Sequence, residues 1–166
     1  MAVVFQDFSF EVKAVLDDTT IAWLYETAEE ITSKAKSNCS TDQEYSSQLS
    51  GSYANVVDEG AGQAQIGSPL EAAYWEEWGT GEYAAHGDGR KGWWIYIEGQ
   101  ASMGGGRTYR SQADAEKMAA YIRRKYKKNA VVTNGREPNY TLEKAFTVTK
   151  PKAIANLEKK LMGVMS

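Results

Sequence analysis

Residues 68–81 read Ser68-Pro69-Leu70-Glu71-Ala72-Ala73-Tyr74-Trp75-Glu76-Glu77-Trp78-Gly79-Thr80-Gly81. A serine followed three positions later by a glutamate is a capping box: Ser68 accepts from the N–H of Glu71, and Glu71 reaches back to the N–H of Ser68. Pro69 falls at the first helical position, where its missing N–H costs nothing. Gly79 supplies a left-handed stop, so the helix spans about three turns at most. Tyr74, Trp75 and Trp78 load this short element with aromatic surface that either the core or a partner must cover. Glu76 and Glu77 invite a reading as paired catalytic carboxylates. Adjacent helical residues point about 100° apart, however, so structural or interface roles are expected instead.

Working outward, Gly51–Glu59 and Gln63–Ser68 read as two strands joined by the Gly60-Ala61-Gly62 turn, a hairpin that delivers the chain to Ser68. Ser37–Ser50 is polar and reads as a loop. Before it, Ile21, Leu24, Tyr25, Ala28, Ile31 and Ala35 form one stripe of a long helix, with Asp17–Thr20 as candidate N-caps and Lys34 and Lys36 in its last turn. Trp23 lies off that stripe and is a candidate interface residue, or part of a wide core face. Phe8, Phe10, Val12, Ala14 and Leu16 alternate with period two, as a half-buried strand or a pairing arm does.

Downstream, Glu82–Gly92 is glycine-rich and carries the only histidine, His86. Trp93–Ile97 is rich in aromatic and β-branched residues and is expected as a strand inside a sheet. Gly99–Arg107 reads as a flexible loop. A second long helix runs from Ser111 to about Lys128, with Ser111 and Asp114 as a weaker capping box and Ala115, Met118, Ile122 and Tyr126 as its buried stripe. Ala130–Thr133 is an edge strand ended by the Asn134-Gly135 turn. Leu142, Ala145, Phe146, Ile154, Leu157 and Leu161 mark a C-terminal helix that Pro151 should kink or restart.

The string Ala73, then Glu77-Trp78-Gly79-Thr80-Gly81, after a strand hairpin, resembles the tail-completion or head–tail joining proteins of long-tailed, siphovirus-type bacteriophages. The similarity extends to Leu49–Tyr53 leading into a strand and to Thr141–Phe146 leading into a last helix. The chain departs from that pattern at Asn38-Cys39-Ser40 and in an enlarged segment from about Tyr83 to Arg136. The resemblance implies a structural virion protein made in the host cytoplasm and placed at the head–tail junction. Its partners would be copies of itself in a ring around the DNA channel, a hexamer by analogy with tail symmetry, and the neighbouring head connector and tail-tube or tail-terminator proteins. In that picture Gly79 is the backbone device and Trp78 the anchor. Glu82–Gly92 and Gly99–Arg107 are then loops that order on contact with a neighbouring ring.

The chain has 166 residues, enough for one domain with its own core, and its hydrophobic and charged fractions of 42% and 25% are those of a globular protein. No apolar run approaches the roughly 18 residues needed to span a bilayer, and no membrane partner is expected. The N-terminus has no basic segment followed by a long apolar one, so no signal peptide is expected. With Cys39 as the single cysteine, no intrachain disulfide forms. The net charge of −3 is split unevenly, with 17 acidic and 5 basic side chains in residues 1–102 against 5 and 14 in residues 103–166. Such polarity is either solvated or orients identical subunits head to tail.

Arg123, Arg124, Lys125, Lys127 and Lys128, with Tyr121 and Tyr126 nearby, are the candidate contact for DNA or a partner. A nucleic-acid-binding module is the alternative function, and a solvated helix end is the plain one. Tyr74, Trp75, His86 and Arg107 are further interface candidates. The glycines of Gly99–Arg107 match neither phosphate-loop spacing. His86 has no partner at metal-ligand spacing, and a Cys39–His86 nucleophile pair would require the two to meet in space. No catalytic residue, metal or cofactor is expected. The fold expectation is α+β. It comprises a small, mainly antiparallel sheet of four or five strands, packed by the long N-terminal helix and the C-terminal helix. The enlarged central region, 83–136, carries another helix.

Overall fold

The computed structural model describes residues 18–41, 46–97 and 106–164. The alternating stretch Phe8–Leu16 and most of Gly99–Arg107 lie outside the described residues. The chain divides into two compact units, Trp78–Pro138 and the remainder on either side of it.

The first unit is built on α1 (Asp18–Asn38), whose buried side chains are Thr20, Trp23, Leu24, Thr27, Ala28, Ile31, Thr32 and Ala35. That face is wider than the expected stripe: Trp23 is 2% exposed and Tyr25, assigned to the stripe, is 46% exposed. Trp23 is therefore a core residue, not an interface residue. Its indole Nε1 donates to the carbonyl of Ala153 at 2.7 Å, a partner 130 residues away that no local periodicity reveals. Small residues on both helices, among them Ala28, Ala35, Ala145 and Ala153, let α1 and α5 (Thr141–Val164) pack closely.

Pro151 lies inside α5, which neither stops nor restarts there. Proline deprives the carbonyl of Thr147 of its N–H partner, and Thr147 is exposed, so water replaces that partner at small cost.

The polar segment expected as a loop ends in a short helix, α2 (Ser46–Ser52), because Leu49 is buried in the core beneath it. Then come β1 (Ala54–Asp58) and β2 (Gln63–Gly67), paired antiparallel with Val56 opposite Gln65. Ala64 and Ile66 point to α1 and are fully buried, while Ala54, Val56 and Asp58 on the other face are exposed. α3 (Glu71–Trp78) starts two residues later than the capping box implies. Ser68 Oγ accepts from the N–H of Leu70 at 3.1 Å and shares a hydrogen bond with Ser52 Oγ at 2.6 Å, so it closes a turn before the helix rather than capping it.

In the second unit Thr80–Gly81 forms β3, which pairs antiparallel with β6 (Gly135–Arg136). β4 (Trp94–Ile97) pairs antiparallel with β5 (Ala130–Thr133), and α4 (Gln112–Tyr126) packs on both. The fold is thus α+β, but its strands form three two-stranded antiparallel sheets among the described residues, not one sheet of four or five. β4 accordingly does not lie inside a larger sheet. All four of its residues are half-buried, and Trp93 before it only adds a bridge to Tyr109. The expected serine cap of α4 is present, Ser111 Oγ accepting from the N–H of Asp114 at 3.2 Å, while Asp114 Oδ2 accepts from the Ser111 hydroxyl at 2.8 Å instead of completing the box at its backbone. The buried stripe of α4 is narrower than expected. Ala115 and Ala119 are its buried residues, Met118 and Ile122 are half-buried, and Tyr126 is 55% exposed.

Glu82–Gly92 is tied down within its own unit. Glu82 Oε1 accepts from the N–H of Gly92 at 3.1 Å, and the N–H of Glu82 donates to Asn134 O at 2.9 Å. Gly81 is a point of close approach. Its φ is +62°, and a Cβ there would run into the carbonyl of Asn134, the ring of Trp94 and the backbone of Gly135. Gly81→Ala should cost the second unit about 2–5 kcal/mol, the sum of left-handed strain and overpacking. A urea melt followed by tryptophan fluorescence would register that loss as an earlier transition; an unchanged midpoint would mean that the β3–β6 contact can spread without penalty.

Candidate functional site

The residues that carry the motif meet at the end of α3. Glu76 and Glu77 are 2% and 1% exposed, unusual for carboxylates, which are rarely buried unless paired or hydrogen-bonded. The two point to different neighbours, as successive helical residues must. Glu76 Oε1 accepts from the N–H of Ser40 and from Asn139 Nδ2, both at 2.8 Å. Asn139 Nδ2 also lies 2.8 Å from the carbonyl of Asn38, the last residue of α1, and Asn38 Nδ2 donates to Thr141 O at 3.1 Å.

Glu77 meets the start of α5. Its Oε2 accepts from the N–H of Leu142 at 2.7 Å and its Oε1 from the N–H of Glu143 at 3.0 Å. A helix start leaves such N–H groups without intrahelical partners. The first intrahelical bond runs from Lys144 N to Tyr140 O at 2.9 Å, which makes Tyr140 the cap position. A tyrosine has no short side-chain acceptor to cap with, and its φ is +51°. The Glu77 carboxylate supplies what Tyr140 cannot, and its negative charge suits a helix N-terminus.

Burial raises the Glu77 carboxyl above the ordinary glutamate range, and this outweighs the two backbone N–H groups that favour the charged form. Burial, and then the charge of Glu76, push the Cys39 thiol up to about 11. Cys39 donates to the carbonyl of Ala35 at 3.4 Å within the core, and at neutral pH it is a thiol, the non-nucleophilic form. The hydroxyl of Tyr53 is buried near Cys39, Glu77 and Glu76 with no hydrogen-bond partner among the described residues, and its ionisation is pushed upward for the same reason, burial first.

Gly79 ends α3 with φ +73°, and a Cβ there would lie 2.7 Å from Arg136 O and 2.8 Å from the nitrogen of Pro138. Thr80 Oγ1 accepts from the N–H of Arg136 at 3.0 Å. Trp78 is half-buried and stacks at a tilt on His86, ring centroids 4.6 Å apart; His86 itself is exposed. Tyr74 and Trp75 form an edge-to-face pair at 5.1 Å, Tyr74 half-buried and Trp75 exposed. Arg107 is exposed over the ring of Tyr109 at 5.4 Å.

On α4, Arg123 pairs with Glu116 at 2.8 Å, while Lys125 sits over the rings of Tyr121 and Tyr126. Arg124, Lys127 and Lys128 are exposed. Among the described residues, no group of three or more histidine, cysteine or carboxylate side chains is placed to hold a metal ion. No described helix is long and apolar enough to cross a membrane.

The sequence marks Glu76 and Glu77 for structural or interface roles but does not join them to Asn139, Asn38 and Ser40. The available signal is a pair of adjacent carboxylates among the alanine and aromatic residues of α3, together with a helix start at Tyr140 lacking a capping side chain. Comparison with protein-family models, curated proteins and solved structures found no match to this chain.

Because the folded Glu77 is raised, the first unit is most stable, as far as this group goes, below the ordinary glutamate range of about 4.3. That contribution is lost as pH rises through the folded value, by about 1.4 kcal/mol for each unit of difference. Glu77→Gln abolishes the titration. It should also cost about 1–3 kcal/mol at pH 4, since the buried N–H of Leu142 or the part-buried N–H of Glu143 then faces an amide NH₂. Chemical denaturation from pH 4 to 8 should show the wild-type curve falling relative to that of the variant. Parallel curves would show that Glu77 ionises in the folded state as it does in water.

Proposed function

We propose that this protein is a structural component of a phage neck. It would complete the tail or join it to the head connector, with identical subunits forming a ring around the DNA channel. The observation that carries this reading is the role of the motif residues. Glu77 caps α5 from 65 residues away, Gly79 stops α3 in the left-handed region, and Thr80-Gly81 pairs with β6. The Glu-aromatic-Gly-Thr-Gly string is therefore a folding junction rather than a chance string, as expected of residues that set a family's architecture. The capped helix start falls at Thr141–Phe146, the second segment of the resemblance. The buried thiol of Cys39 and the fully engaged carboxylates of Glu76 and Glu77 fit assembly better than catalysis.

The deciding experiment is the absolute mass of the purified protein by light scattering over a range of concentrations, with negative-stain images of any large species. Closed rings of one size are the expected result. A protein that stays monomeric and is retained neither by tails nor by capsids would overturn the reading. Trp78→Ala removes the aromatic surface on which His86 stacks and should cost about 2–3 kcal/mol, below the full-burial value because the ring is half-covered. Thermal melting and ring size measured together check this; both unchanged would make Trp78 peripheral.

A further inference from the structure

The two units differ in charge. Trp78–Pro138 holds 11 basic and 6 acidic side chains, and the rest of the chain holds 8 and 16. Within the basic unit the excess gathers at the end of α4. Asp114 and Glu116, near the helix start, are taken by Lys117 at 3.4 Å and Arg123 at 2.8 Å. Beyond them, Arg124, Lys125, Lys127 and Lys128 meet no carboxylate among the described residues. Lys125 Nζ lies 5.2 Å and 5.3 Å from the ring centroids of Tyr121 and Tyr126, which are 39% and 55% exposed. Cations at a helix C-terminus are explained by the dipole. Two tyrosines left in water beside them are not.

The acidic unit presents a matching edge. Tyr25 and Glu29 stand one turn apart on α1. The Tyr25 hydroxyl donates to Glu59 Oε1 at 2.9 Å, and Asn55 Nδ2 donates to Glu29 Oε2 at 3.0 Å, so the two carboxylates are held along the α1 side of β1, Glu59 at the turn and Glu29 nearer the start of the strand. Glu26 and Glu30 on the same helix are neutralised by Lys160 and Lys34. Glu29, Asp58 and Glu59 meet no cation among the described residues.

We infer that the Tyr121–Lys128 end of α4 docks on the Tyr25–Glu59 edge of a second copy of this chain. The contact is heterologous, so repeating it generates a ring or an open chain. The partner is a second copy rather than a nucleic acid because the chain's net charge of −3 repels a polyanion, while its own acidic unit supplies the complement. Exposed tyrosines and an arginine are the side chains that protein interfaces favour. The inference rests on the ring reading and supplies its subunit contact.

Two charge-reversed variants test it, R124E/K127E/K128E and E29K/E59K. All five positions are exposed, and the circular dichroism of each variant is checked against wild type. Each alone presents like charges to itself and should lose self-association. Mixed in equal amounts at low salt, they present opposite charges again, and light scattering should report a mass at least twice that of either alone. Salt at about 0.5 M should abolish this, since the Debye length then falls to a few ångströms.

A mixture whose mass is the mean of the two separate variants overturns the docking. So do wild-type rings that both variants form unaided, although the ring reading then survives. A mixture that forms pairs or open chains but never closes keeps the docking and removes the ring. Retardation of a short DNA duplex that R124E/K127E/K128E alone loses, with no mass gain on mixing, would make a nucleic acid the partner and overturn the inference.

Discussion

The first unit depends on one buried carboxylate. Glu77 takes the N–H groups of Leu142 and Glu143, which would otherwise be stranded at the head of a helix whose cap position is a tyrosine. A charge-assisted hydrogen bond to a backbone N–H contributes about 1.5–3 kcal/mol, and two of them offset part of the several kcal/mol that burying a carboxylate costs. That balance explains why burial still wins in the direction of the Glu77 shift. It also explains the geometry around it. Tyr140 tolerates a positive φ because the N–H of Tyr140 donates to Glu77 O at 3.3 Å and that of Asn139 to Glu76 O at 2.8 Å, which fixes the chain reversal from both sides.

These bonds join sequence segments that the whole of Trp78–Pro138 separates. The first unit is therefore discontinuous, and closing it carries the entropy of a long loop, which grows only slowly with loop length. A segment of this size can sit between residues 77 and 139 at little extra cost once the closing contacts are strong. The contacts are strong because they are layered. Glu76 ties Ser40 and Asn139, Asn139 ties the carbonyl of Asn38, and the Trp23 indole ties α1 to Ala153 further along α5.

What the sequence discloses follows the reach of each interaction. The α1 stripe, the β1–β2 hairpin, the Gly79 stop and the Ser111 cap all rest on neighbours within about four residues, and all are legible from spacing. Trp23 stays open between an interface and a wide core face in the sequence because its partner is 130 residues away, and a helix packed on both a hairpin and another helix buries more than one stripe. Ser68 bears the pattern of a capping box, but Ser52 and Leu70 compete for its hydroxyl. Strand number failed for a related reason: β1, β2, β4 and β5 are evident from composition, but the two-residue β3 and β6 read as turns, and which strand pairs with which is set by distant register. At the motif, the glycine could be read in advance. The role of Glu77 could not, because the N–H groups that it takes lie far along the chain.

The charge pattern follows from the same organisation. When one compact unit is inserted into another, each carries its own surface, and their charges are free to diverge without either folding poorly. Neutralising pairs such as Lys160–Glu26 at 2.6 Å and Arg123–Glu116 at 2.8 Å then fall within a unit. Surface pairs of this kind contribute little to stability, so stability alone exerts no pull toward filling the remaining charged positions with partners. Charges left over on opposite units act over longer distances, where they govern encounter and orientation more than folding. A protein whose motif residues are spent on holding its own junction has these surfaces left with which to meet other molecules.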